Sequence, residues 1–524
     1  MLSRVWSPSG YLTIFLLSIA ALWYRYHAKF RDVSTGKRRA TTKLPPTFPY
    51  IMPGLGTMPL SYIWNPMGFV KNPKNFFQAD RPVRVKMLNY EFYVVHGPEN
   101  IKELFKNSKL CNHAPFLKYA LSYVFGLPPS AQNIWDKDDS GGLRIPHPES
   151  AVESRNRVDW GGHQGMAEFL EGSGFLPFCR RYADNITQRL HTLHLRTGDE
   201  WEHHTDLMDF VGYEATVSTM NAFCGPNLLR LNPDFVQDYW DFDRNLQTYM
   251  RGTPWFIAPK AYAARKRVLD AVISWQQHAR DNFHASDIGP DGDDPFWGSS
   301  VFRKRHEMYL AMDGYDYAAI ASEDFAALWA ARNSITATFW AVFDIYRDPE
   351  LLETVRAEVG SCMIGKTREN GHMAFDMEHL LRVPVLQAVY AETLRLRMHF
   401  YMIRMTDRED MPVRDWIIPR KKVIVTLTTV AHMDHKIWST GLYNEHPVDK
   451  FWVGRFLSTP PEGSSQRYSD AAQSKNTRNS TASKTFSMKG MEASWIPFAG
   501  GHRQCPGRHF AKRQVLLTIA LMIW

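Results

Sequence analysis

Cysteine is scarce in this chain. Cys111, Cys179, Cys224, Cys362 and Cys505 are the five in 524 residues, an odd number, scattered and without C-x-x-C spacing. That pattern argues against a disulfide scaffold or a cysteine zinc site and suits a reducing compartment. Dense lysine or arginine blocks are also missing, so the net charge of +8 does not point to nucleic acid. It fits a membrane surface or an acidic protein partner instead. No flavin or nicotinamide fingerprint is visible, no internal repeat stands out, and no clear domain break follows residue 54. Asp136 to Gly141 has the start of a calcium loop, but position twelve is His147 in place of glutamate, which excludes calcium.

Apolar bulk is what the chain has in quantity. Aliphatic and aromatic residues make up 44%, with 17 Trp, 31 Phe and 22 Tyr, enough for a large buried core. Residues 10–24 are apolar, and Arg25, Lys29, Arg31, Lys37, Arg38, Arg39 and Lys43 follow. Positive charge after the apolar run predicts an uncleaved membrane anchor over 1–26, with the bulk of the chain cytosolic. A cleaved signal peptide has the charge in front. Pro45, Pro46, Pro49 and Pro53 predict a stiff, extended stretch, so 27–53 reads as a basic, proline-rich linker and 54–524 as one catalytic domain.

Between polar loops at 136–156, 287–298 and 462–484 the chain reads as mainly α with small β-sheets. Glu323 to Ile345 is the longest continuous helical candidate. Asp348-Pro349 stops it, because proline disfavours helix in the residue before it, and a second helix starts near Glu350. Trp416 to Val425 reads as a strand pair. Asn185 and Asn479 open glycosylation sequons that a cytosolic domain leaves unused.

Cys505 is the most informative residue. Phe498, Gly501, Arg503, Cys505 and Gly507 follow the pattern F-x-x-G-x-R-x-C-x-G. Gly501 lets the backbone turn without a Cβ. Pro506 and Gly507 stand where a helix should begin, a place proline suits. A buried structural cysteine beside a glycine turn is the bland alternative, and five matched positions weigh against it. The stretch resembles the haem-ligating loop of the cytochrome P450 superfamily. The resemblance implies Cys505 as axial thiolate on the iron of haem b, pushing electron density onto the metal and favouring O–O cleavage. It also implies Phe498 beside the sulfur, helix-start amides bonding the sulfur, and Arg503 on a propionate.

Other motifs extend the resemblance to roughly 45–524. Glu392 and Arg395 are three apart and share a helix face. Alone this is a surface pair worth little. In the family it is buried and joined by an arginine from a later Phe-x-x-x-Arg-Phe segment, here Phe451 to Phe456 with Arg455. Val453-Gly454 stands where the family usually has Pro-Glu. Arg404, nine residues beyond Arg395, is implied on a propionate, against the alternative of a strand arginine facing solvent. Asn333 and Ser334 stand where an acid–threonine pair is usual over the oxygen site. This is similar to the sterol 7α/12α-hydroxylase and prostacyclin synthase clan. Asn333 either bonds oxygen or ordered water, or is a helix residue satisfied by backbone. Family members usually continue several tens of residues past the cysteine helix. This sequence stops at Trp524 inside an apolar helix, which raises the expectation of a truncated end with unpartnered carbonyls.

These resemblances imply a fungal secondary-metabolism member. The expected activity is a haem-thiolate monooxygenase, hydroxylating or epoxidising a lipophilic, steroid- or terpenoid-like substrate with O2. Its electrons come from NADPH through a separate reductase at the endoplasmic reticulum membrane. A peroxide isomerase or dehydratase is the second expectation, and an inactive truncated relative the third.

Overall fold

The computed structural model describes residues 44–48, 80–87, 90–198, 200–366, 373–441, 443–458 and 484–524. The anchor over 1–26, most of the linker, Asn479 and all of the 462–484 loop but Lys484 lie outside the described residues. Among the described residues, no helix is long and apolar enough to cross a membrane. The chain divides into two compact units, and helix dominates the larger one.

The smaller unit takes in the described residues up to His113, with 399–432 and 492–502. Its centre is a five-stranded sheet of β1 (Val83–Met87), β2 (Tyr90–Val94), β3 (Cys111–Asn112), β4 (Tyr401–Thr406) and β7 (Val423–Leu427), in the order β1-β2-β7-β4-β3. Only β2 and β7 run parallel. β4 alternates half-buried and buried residues along its length, the period-2 pattern of a strand with one covered face. Residues 46–48 run extended beside β1, with Phe48 N–H bonded to Arg84 O at 2.7 Å and Arg84 N–H to Pro46 O at 2.8 Å. Helix α1 (Pro98–Lys106) has proline in its first turn, where a missing N–H costs nothing.

The expected strand pair at 416–425 divides. Its first strand, β6 (Trp416–Ile418), forms a hairpin with β5 (Met411–Val413), while β7 joins the large sheet. Both segments have β-forming residues, but propensity does not name a partner. The turn between them carries Lys421 at φ +58.

The larger unit is built on a ring of four helices: α3 (Phe175–Thr197), α4 (Leu207–Cys224), α9 (Arg332–Tyr346) and α12 (Arg508–Ile523). α3 packs on α4, α4 on α9, α9 on α12 and α12 on α3. Phe178 of α3 lies between Phe223 and Phe510, with ring centroids 4.2 and 4.3 Å away. One buried amide ties the ring together. Gln514 of α12 donates to Thr219 of α4 at 3.0 Å and accepts from Ser334 of α9 at 2.6 Å. Around the ring stand α2 (Val158–Glu171), α5 (Phe235–Arg244), α6 (Pro259–Asn282), α7 (Ser300–Leu310), α8 (Tyr317–Trp329), α10 (Pro349–Ser361) and α11 (Pro384–Arg397).

Two expectations change here. The helix read as Glu323 to Ile345 is two helices, α8 and α9, broken at Ala330 and Ala331. Among the described residues the longest helix is α6, with 24 residues. Asp348 then caps α10 by accepting from Leu351 N–H, with Pro349 at its first position. The last carbonyls of α12 also have partners: Met522 O accepts from Tyr346 OH at 2.9 Å, and Ile523 O from Arg356 at 3.3 Å.

Candidate functional site

All five cysteines are free, and Cys505 alone among them is exposed. Its sulfur lies just before α12, within reach of the Gly507 and Arg508 amides at that helix start. Dense protein around the sulfur pushes the thiol up, while those amides and the Arg508 cation act the other way. Burial raises the other four thiols too, Cys111 and Cys179 to about 11. A reachable sulfur with two amides turned on it fits an electrophilic metal that draws off the proton. A Cβ on Gly507 would lie 3.7 Å from the sulfur, an ordinary contact. Tyr390 of α11 is buried, its hydroxyl has no partner among the described residues, and its pKa is raised by burial and then by the Cys505 charge.

Arg503 is enclosed, and its charge is already answered within the larger unit. Its guanidinium meets the Asp159 carboxylate of α2 at 2.7 Å and donates to Gly142 O at 2.9 Å. A Cβ on Gly142 would overlap that guanidinium. Burial raises the Asp159 pKa against the opposing pull of Arg503. Any further anion on Arg503 would share it with Asp159. Sequence reading missed Asp159, because its partner lies more than 340 residues away in sequence and no local pattern marks it.

The residues before Arg503 belong to the smaller unit. Phe498 stands edge-on to Trp495, ring centroids 6.1 Å apart. Ile496 N–H is fixed by His432 Nε2 at 3.1 Å. Gly501 has φ +76, and a Cβ there would overlap the Ser108 side chain, whose Oγ accepts from His502 N–H at 3.0 Å. The glycine thus serves both a left-handed turn and a close approach. Arg404 on β4 is buried, with Nη1 donating to Ile403 O at 3.1 Å.

Glu392, Arg395 and Arg455 come together, with all three side chains fully buried. Arg395 grips Glu392 with two parallel bonds, 2.6 and 2.8 Å. Arg455 bonds the same carboxylate, which also accepts from Trp452 N–H at 3.0 Å. The remaining Arg455 donors go to the carbonyls of Ser439, His446, Pro447 and Lys450, between 2.7 and 2.9 Å. Two cations share one carboxylate, and the carbonyl dipoles around Arg455 answer the remaining positive charge, the condition for burying it.

Asn333 and Ser334 sit at the start of α9 and differ in what they can do. Asn333 is exposed, and its side chain has no hydrogen bond among the described residues. The Ser334 hydroxyl is buried and committed to Ala331 O at 2.9 Å and to Gln514. Asn333 is therefore the one free to hold a water, and Ser334 the one that fixes the helix. Sequence reading missed Gln514, which follows Lys512 and Arg513 and so looks like the end of a polar stretch before Val515. Among the described residues no cluster of His, Cys, Asp or Glu could hold a metal ion. Cys505 is the candidate ligand for an imported group.

Comparisons with known proteins point the same way. Residues 328–524 match the family model "Cytochrome P450". The chain is 29% identical to the cytochrome P450 monooxygenase efuG of Hormonema carpetanum, over 98% of this chain and 90% of that protein. It is 29% identical to fsoE of Humicola fuscoatra, also a cytochrome P450 monooxygenase, over 94% and 84%. The cholesterol 7-alpha-monooxygenase of Cricetulus griseus is 24% identical, over 55% of this chain and 51% of its own length.

Proposed function

The chain is an oxidoreductase related to the cytochrome P450 monooxygenases, and from that premise we propose that it inserts one oxygen atom of O2 into a C–H or C=C bond of a lipophilic, steroid- or terpenoid-like secondary metabolite. The second oxygen atom leaves as water, with two electrons from NADPH delivered by a separate reductase. The observation that carries this reading is the exposed residue Cys505, with the Gly507 and Arg508 amides turned on its sulfur. Haem b bound there supplies O2 reduction and O–O cleavage, which no side chain supplies. Arg503, jointly with Asp159, would answer a propionate. Glu392, Arg395 and Arg455 fix the chain around 439–455 within the larger unit. Asn333 orients water by hydrogen bonds, since an amide does not ionise near neutral pH.

Attachment to the endoplasmic reticulum, with the catalytic domain cytosolic, is part of the same proposal. It rests on the apolar and then basic N-terminal sequence. Trp255, Phe256 and Ile257 add to it, three consecutive side chains each about two-thirds exposed, with Arg251 and Lys260 beside them.

The test is the ferrous–CO spectrum of the purified protein and of Cys505→Ser. A thiolate-type Soret band in the parent and its loss in the variant are expected. An unchanged band in the variant would sink the assignment. Turnover of a peroxide substrate without NADPH or O2 would replace oxygen insertion with isomerisation.

A further inference from the structure

The break between α8 and α9 has no cause in its own sequence. Kinks ordinarily trace to proline, glycine–serine pairs or inserted groups. Residues 323–346 contain neither proline nor glycine, and Ala330 and Ala331 are the best helix formers available. In an unbroken helix the Asn333 amide would bond Trp329 O. Instead Trp329 O accepts from the Tyr239 hydroxyl of α5 at 3.3 Å. Ala331 N–H shortens its reach to Leu328 O at 3.3 Å, a three-residue turn. One turn along α5, the Asp243 carboxylate takes both flanks of the break. It accepts from Trp329 Nε1 at 3.1 Å on one side and from Arg332 Nε at 3.0 Å on the other. The Asp243 side chain is 8% exposed, so these bonds act in a dry setting.

We propose that Asp243 and Tyr239 are positioning residues that hold this break, and through it set how Asn333 is presented. The clamp works from both sides of the two unconstrained alanines. Tyr239 occupies the carbonyl that would close the helix, and Asp243 fixes the indole before and the guanidinium after. Released, the alanine pair returns to the regular ladder, with Asn333 N–H on Trp329 O. The consequence for catalysis rests on the oxygen-handling reading of Asn333; the clamp itself does not.

The experiment uses the haem-loaded full chain as Tyr239→Phe, Asp243→Asn and the double variant, with exchange measured at rest and coupling measured separately under turnover. Hydrogen exchange of the amides of 331–335 is followed by mass spectrometry with fragmentation. The expected result is slower exchange at Asn333 and Ser334, by about tenfold for each ladder bond gained in the double variant. Product formed per NADPH falls alongside, with haem content unchanged. Unchanged or faster exchange overturns the clamp. If the double variant takes up no haem, Tyr239→Phe decides alone, since it removes one hydroxyl and no volume. Slower exchange with coupling unmoved upholds the clamp and removes Asn333 from oxygen handling. Loss of the thiolate band in the parent would sink the haem reading and leave the exchange result standing.

Discussion

Replacing Arg455 with alanine tests the buried ion cluster most directly. The change removes one of the two guanidinium groups on Glu392 and strips the donors from four carbonyls, those of Ser439, His446, Pro447 and Lys450. Glu392 keeps Arg395 and the Trp452 amide, so it is not stranded. Losing one charge-assisted bond from a carboxylate that stays paired costs about 1.5–3 kcal/mol, less than a stranded buried charge would. Each carbonyl left dry adds roughly 1 kcal/mol, less wherever water reaches it. The sum, about 5 kcal/mol or more, is comparable to the whole stability of a typical domain, about 5–15 kcal/mol. Arg455→Ala should therefore fail to accumulate as a folded protein or unfold at far lower denaturant. Arg455→Lys keeps the charge but has one nitrogen where five bonds diverge in a fixed fork, so it should lose about half as much. Guanidinium unfolding followed by tryptophan fluorescence is a suitable assay, because Trp438 lies 5.4 Å from the Arg395 guanidinium and Trp452 5.4 Å from that of Arg455. A midpoint for Arg455→Ala within error of the parent would refute the reasoning.

Two further outcomes are expected. Gly501→Ala should lower stability by about 1–2 kcal/mol or more, from its φ of +76 and the overlap with Ser108, while Gly507→Ala should be tolerated; equal thermal shifts would contradict both placements. His306 is buried, with neither ring nitrogen bonded among the described residues, and burial pushes it down to about 4. The unfolded chain takes up that proton first, so stability holds above pH ~6.5 and falls as pH drops toward about 4, by about 3 kcal/mol in total. His306→Phe should flatten that acid limb in urea midpoints measured from pH 7.5 to 5 (~, spanning the upper part of the titration), and an unaltered slope would contradict it.

What could be read ahead of the structure was local. Pro349 and Asp348 placed a helix start, and the spacing of Glu392 and Arg395 placed two charges on one helix face. The fold class, mainly helical with small sheets, followed from the same kind of pattern. What could not be read depended on partners distant in the chain. The α8–α9 break is imposed by α5 on residues that favour an unbroken helix. The separation of β6 from β7 reflects which strands they meet, not their composition. Arg503 was assigned by spacing to a propionate alone, and nothing near it announced Asp159. Ser334 was paired with Asn333 by position, yet a glutamine 180 residues on holds its hydroxyl.

The way Arg455 spends its donors has a consequence for sequence variation. Four of its five bonds end on backbone carbonyls between 439 and 450, and every amino acid has that group. The arginine therefore reads the path of this segment and is indifferent to its side chains. A saturation scan across 439–450 should find most substitutions silent, apart from positions whose backbone angles are special, such as Gly441 at φ +84 and Asn444 at φ +59. The same scan at Arg455 should find almost none tolerated. One side chain would then license variation at most of the other positions, and relatives could diverge widely here while keeping the same chain path.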